Sequence, residues 1–215
     1  MKISTLATLI ALSTTAAALA APATPGTLAS YLALGPAGVT IGSTTFSNFT
    51  LDPLQTGATQ IPTSILVNPI NIFGMPTLEF IVNQTAAAGQ LFELKLSYNV
   101  QDVSIFGAGV AYDMATVTGD AAVTGTLDVT GPTPQPGTFI AVATAGFSTP
   151  SEQGNFPSVS ALFARTDIVV DGGFGGQGSV RSVSNNFQVV PEPSTALYGL
   201  ATLALCATRR FRRHA

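Results

Sequence analysis

Phe92-Glu93-Leu94-Lys95-Leu96-Ser97-Tyr98-Asn99-Val100-Gln101 alternates apolar and polar side chains over ten residues without a break. A strand turns successive side chains to opposite faces. Phe92, Leu94, Leu96, Tyr98 and Val100 therefore share one face, and Glu93, Lys95, Ser97, Asn99 and Gln101 the other. The pattern predicts a half-buried strand with a core face and a water face, as antiparallel sheets are built. The alternation returns at Ala121, Val123, Leu127 and Val129 against Ala122, Thr124, Thr126, Asp128 and Thr130. Further strands are expected at Thr77–Gln84, Val103–Val117, Phe139–Phe147, Ala161–Val170 and Ser179–Val189, where Val, Thr, Ser and Phe dominate. Leu28–Leu34 has room for a turn or two of helix, stopped by Gly35-Pro36. Asp171-Gly172-Gly173-Phe174-Gly175-Gly176-Gln177-Gly178 reads as a mobile hairpin loop between the last two strands. The expected fold is all-β: one antiparallel sandwich or jelly-roll-like domain over residues 21–190.

Charge narrows what such a domain can do. Between Ala21 and Val190 stand three basic residues, Lys95, Arg165 and Arg181, against ten acidic ones, a net of −7. The whole-chain value of −3 is set by the ends, where Lys2, Arg209, Arg210, Arg212 and Arg213 lie. An acidic domain with scattered cations has no electrostatic footprint for nucleic acid, and none is expected as a partner. The one cysteine is Cys206 and the one histidine is His214, both near the C-terminus. Residues 21–190 thus have no Cys and no His. They cannot form a disulfide, a typical zinc or copper site, or a Ser-His-Asp or Cys-His catalytic pair. No cofactor is expected.

Both ends carry targeting patterns. Lys2 supplies a positive charge, Ile3–Ala17 is apolar or small, and Ala18-Leu19-Ala20 is an A-x-A site. Residues 1–20 are read as a secretory signal peptide cut after Ala20. At the other end Pro191 and Pro193 cannot continue a central strand or a helix. Ser194–Thr208 is uncharged and, as a helix, spans roughly 22 Å, short of the ~30 Å hydrocarbon core. Arg209, Arg210, Arg212 and Arg213 follow as a cytoplasmic-type stop whose long stems can snorkel to the interface. This order places the domain outside and the tail inside.

The three parts of Val190–Ala215 (Pro191-Glu192-Pro193, a short apolar helix and an Arg-rich end) resemble the PEP-CTERM sorting signal of Gram-negative bacteria. The resemblance implies processing near Pro191-Glu192-Pro193 by an exosortase, a transpeptidase-like membrane protease, after transient membrane anchoring. It implies a place at the cell surface or outside the cell. Ile41–Phe49, with its Phe46-Ser47-Asn48-Phe49 run, and Ser179–Phe187 are similar to the edges of one β-rich group of these proteins. That likeness implies an exported domain and carries over no catalytic residues. The expected function is a non-enzymatic protein of the cell envelope or of an extracellular polysaccharide or biofilm matrix. The alternatives are a carbohydrate- or calcium-binding sandwich module and, third, a carboxylate-dependent glycan hydrolase, which needs only two acids.

Within the domain the candidates for chemistry are few. The glycine run lacks the Gly-Lys-Ser/Thr and the following helix of a phosphate loop. Asp167 and Asp171, four apart on one face, lie roughly 13 Å from each other along a straight strand and cannot share an ion. Asp171, beside the glycine run, could still join a calcium site with other loop oxygens. Tyr98 and Tyr112 stand at apolar strand positions and are read as core. The chain has no Trp to hold a sugar ring.

Overall fold

The computed structural model describes residues 20–55, 57–59, 64–132 and 137–190. Among the described residues, thirteen strands and one short helix follow in order. They are β1 (Ala21–Pro22), β2 (Gly26–Thr27), α1 (Leu28–Leu32), β3 (Val39–Ile41), β4 (Thr44–Leu51), β5 (Leu66–Ile72) and β6 (Met75–Ala87). After these come β7 (Leu91–Asp113), β8 (Thr116–Thr118), β9 (Ala122–Thr130), β10 (Gly137–Thr144), β11 (Phe147–Thr149), β12 (Ser151–Asp171) and β13 (Gln177–Val189). Hydrogen bonds join all the strands into one sheet in the order β11-β10-β9-β12-β7-β13-β6-β5-β2. β4, carrying β3 and β1, branches from β7, and β8 from β13. Named strand pairs are antiparallel except β1 with β3. The all-β antiparallel expectation is met, and the sheet is continuous.

Two long strands organise it: β7, with 23 residues, and β12, with 21. The first half of β7 lies between β4 and β12, and the second half between β13 and β12. Between the halves the β7–β12 ladder shifts register twice, between Asn155 and Ala161. Such bulges bend a strand and raise its twist. Pro157, which has no N–H for the ladder, sits in the bend. There the sheet doubles over, and side chains of its two halves meet. Asn185 of β13 donates to the Tyr98 hydroxyl of β7 at 2.9 Å and also bonds Thr166 of β12. Phe187 packs on Phe46 and Tyr98 at ring distances of 5.7 and 6.4 Å. The core between the halves is apolar and aromatic, and each fully buried Phe or Leu in it contributes about 1.5–3 kcal/mol.

The Phe46-Ser47-Asn48-Phe49 run shows how local backbone serves this core. Phenylalanines three apart cannot share a face in a regular strand, yet both are buried. Asn48, at φ 55°, forms a bulge where the β4–β7 register shifts between Ser47 and Thr50. The extra residue resets the phase, and Phe49 turns inward to stack on Tyr98 at 5.3 Å. Asn tolerates the left-handed region better than other non-glycine residues.

Three expectations are corrected. Phe92–Gln101 and Val103–Val117 are not separate strands; β7 runs through both as far as Asp113. Asp102, which interrupts the alternation, is only 8% exposed, and its carboxylate accepts from Ser43 at 2.9 Å and Thr44 at 2.5 Å. The glycine run is not a hairpin loop. β12 pairs with β7 and β9, and β13 with β6, β7 and β8, so the run crosses from one half of the sheet to the other. Nor is the polar face of Phe92–Gln101 a water face throughout, since Glu93 and Ser97 are buried.

Candidate functional site

The outer face of the half built from β4, β7, β12, β9 and β10 gathers six of the thirteen charged residues between Ala21 and Val190. Cross-strand register sets its rows: Lys95 beside Asp167, Ser97 beside Arg165, Asn99 beside Phe163. Arg165 then neighbours Asp128, and Phe163 neighbours Thr130. Lys95 bridges Glu93 and Asp167, each at 3.1 Å. Arg165 meets Asp52 at 2.9 Å, and Ser97 donates to Asp52 at 2.8 Å. The segment after β4 lies over this cluster: Asp52 N–H bonds the Lys95 carbonyl, Glu93 N–H bonds that of Thr59, and Gln55 N–H reaches Glu93 at 2.5 Å.

These contacts pull the titrations apart. Burial pushes the Glu93 carboxyl up, but the Gln55 N–H and Lys95 outweigh it and hold Glu93 below the usual carboxylate range. At Asp167 burial outweighs Lys95, and the carboxyl stands above its usual range. Burial would lower the Lys95 ammonium, and its two carboxylate partners raise it instead. The cluster is a charge-paired network under a covering segment.

Beside it the face is open. Phe163 is 47% exposed and divides two adjoining shallow grooves of about 340 and 310 Å³. Asn99, Gln101, Thr130 and Pro132 line one; Asp128, Thr138 and Arg165 line the other. Among the described residues, the side chains of Asn99, Gln101 and Asp128 have no hydrogen-bond partner. Sequence reading missed this constellation. Phe163 falls on the polar phase of β12, which was the available signal.

At the opposite end of the molecule the glycine run is pinned. Asp120 accepts from Phe174 and Gly175 N–H groups at 2.8 and 2.9 Å. Asp171 accepts from Gly173 at 2.8 Å. A Cβ on Gly172 would stand 1.9 Å from the Ala87 carbonyl oxygen, and one on Gly176 2.2 Å from that of Thr118. These glycines serve close approach. The structure thus brings Asp120 to the loop of Asp171, a proximity the sequence does not show. Among the described residues, no group of three or more His, Cys, Asp or Glu side chains could hold a metal. Tyr98 is fully buried, and burial pushes its hydroxyl up to about 12. Tyr112 is half-buried, with its hydroxyl on Ser148 at 2.5 Å and the Val142 carbonyl at 3.2 Å.

Ala18 of the expected signal peptide, Pro191, Glu192 and Pro193 of the expected sorting motif, and Arg209, Arg210, Arg212 and Arg213 of the expected membrane stop lie outside the described residues. Ala20 directly precedes β1. Among the described residues, no helix is long and apolar enough to cross a membrane.

No protein-family model matches the chain, and no curated protein matches it. Among solved structures, it is similar to TmCBM61 in complex with beta-1,4-galactotriose at 16% identity and a TM-score of 0.25, over 57% of this chain and 81% of that one. It is also similar to the enzymatically active domain of tailspike protein 4 of bacteriophage CBA120 at 9% identity and a TM-score of 0.24, over 66% of this chain and 19% of that one.

Proposed function

We propose that the chain is exported behind its signal peptide, held in the inner membrane by its C-terminal segment, and processed near Pro191-Glu192-Pro193 by an exosortase-type protease. The product is a non-enzymatic protein of the cell envelope or extracellular polysaccharide matrix, with residues 21–190 as a jelly-roll-like sandwich. One observation carries this reading. β13 ends at Val189, and beyond Val190 the sequence runs through the prolines, the apolar segment and the arginines, in sorting-signal order. A non-enzymatic role is supported by the Glu93, Lys95 and Asp167 cluster, whose charges are spent on one another beneath the segment after β4. Replacing Pro191, Glu192 and Pro193 by alanine is expected to leave a longer, membrane-bound form in cells that carry the protease. Identical mass and fractionation for both forms would sink the sorting reading.

A second reading, a glycan-binding module, is favoured by the Phe163 grooves. An aromatic face flanked by unpartnered amide and carboxylate side chains is the composition of a polar-ligand site. A glycan array on the folded protein tests it. Binding that disappears in Phe163→Ala supports it, and a blank array removes it. Calcium added in a melting assay tests Asp171 and Asp120, and an unshifted transition removes the calcium form.

A further inference from the structure

The doubled-over end of the sheet is also where the chain leaves the domain. In the β13–β6 ladder Asn186 lies opposite Thr77, which places the β5–β6 turn level with the end of β13. On the other flank Val189 pairs with Ile105, and Val190 N–H bonds the Ser104 carbonyl at 3.1 Å. Ser104 meets Ser158 from the bend of β12 at 2.5 Å.

This end pairs exposed apolar side chains with a lack of exposed charge; the opposite end exposes Met114, Phe147 and Phe174 too, but among Asp113, Asp120, Asp171 and Arg181. Phe73 at the tip of the β5–β6 turn is 99% exposed and Val103 is 73% exposed. Ile72 and Val190 are exposed beside them. Phe73 holds φ 52° with Gly74 at φ 85°, a two-residue turn that asparagine or glycine fills without strain. A phenylalanine there is disfavoured by backbone conformation and by hydration alike. Residues 41–44, 70–76, 101–106, 156–160 and 187–190 make up this end, and they contain one charged residue, the buried Asp102. Apart from Asp102 the domain's charge, a net of −6, is thus carried elsewhere. Asp113, Asp120, Asp171 and Arg181 lie at the opposite end.

We infer that this end is a lipid-facing surface, with Phe73 and Val103 resting in the bilayer interface while the chain is membrane-anchored. The inference rests on the sorting reading. It follows from where the described domain stops: Val190 to Ser194 spans at most about 14 Å at ~3.6 Å per residue, so the end around Val190 stays in or just above the headgroup layer, roughly 5–8 Å thick, once Ser194 enters the membrane. Exposed apolar groups gathered at one end of a domain mark an interaction surface, and the missing exposed carboxylates remove the repulsion that an acidic domain would otherwise meet at anionic lipid.

The test uses the full chain, purified after export from a host without the processing protease. It is reconstituted in phosphatidylethanolamine–phosphatidylglycerol vesicles with nitroxide-labelled lipid. A fluorophore on the native Cys206 reports whether the apolar segment inserts. In a Cys206→Ser background, fluorophores on Phe73→Cys and Val103→Cys report the proposed surface, and Phe174→Cys reports the far end. Loss of fluorescence at 206, 73 and 103 but not at 174 supports the inference. Loss at 206 with 73 and 103 as bright as 174 overturns it and leaves the sorting reading intact. No loss at 206 overturns both.

Discussion

Lys95 holds two carboxylates, one of them on a fully buried side chain. Removing one partner of a buried ion pair leaves the other charge uncompensated, so Lys95→Met is expected to cost about 3 kcal/mol. Urea unfolding of the variant reads this directly. The pH response has a definite sign. Glu93 titrates lower in the folded chain than at its ordinary 4.5. Its contribution is therefore complete above that value and is lost as pH falls through the folded pKa. Asp167 is raised and runs the other way: its ionised form costs stability, and acid relieves it. Glu93→Gln should flatten the acid side of the stability curve, and Asp167→Asn should steepen it. Lys95 adds a basic limb: stability is full below 10.5 and declines as pH rises through its higher folded value. Melting temperatures across pH 3 to 12 would show all three.

The elements show what could be read beforehand and what could not. Phe92–Gln101 was legible because period-2 alternation encodes one face in and one face out. Burial of Glu93 was not legible, because nothing in the residues of β7 says that the segment after β4 lies above them. β5 escaped because Pro69 interrupts it. Proline is tolerated near a sheet edge, and β5 has only the two-residue β2 beyond it. The glycine run misled because glycine signals both flexibility and close approach, and Gly172 and Gly176 are there for the second. Gly172→Ala is accordingly expected to cost about 3 kcal/mol or more through displaced backbone, in the same urea assay. Asp120→Ala should instead release the loop locally, seen as faster amide exchange at Phe174 and Gly175. At the β4 bulge, Asn48→Val should destabilise by about 1–2 kcal/mol because a β-branched residue resists the left-handed region, while Asn48→Gly is tolerated. The Ile41–Phe49 and Ser179–Phe187 stretches, far apart in sequence, converge through Phe46, Phe49 and Phe187 on Tyr98. Of the Phe163 grooves only the aromatic on the polar phase of β12 could be read beforehand, since four strands from distant parts of the chain supply the rest.

At the scale of the molecule, residues 21–190 hold together without a disulfide, so a reducing agent should leave the melting temperature unchanged. Pairings such as Leu91 with Asp171 and Thr45 with Gln101 are strongly non-local, and refolding is expected on the millisecond-to-second scale or slower, measurable by stopped-flow dilution from urea. The position of β13 has one more consequence. The chain leaves the domain at the end of a strand flanked by β6 and β7 rather than at a sheet edge. A tether drawn tight at Val190, along the strand direction, loads both ladders in shear, so their hydrogen bonds share the force instead of opening one by one. A protein fastened at that point and tugged by moving fluid or a dragging matrix is gripped through a strand held on both sides.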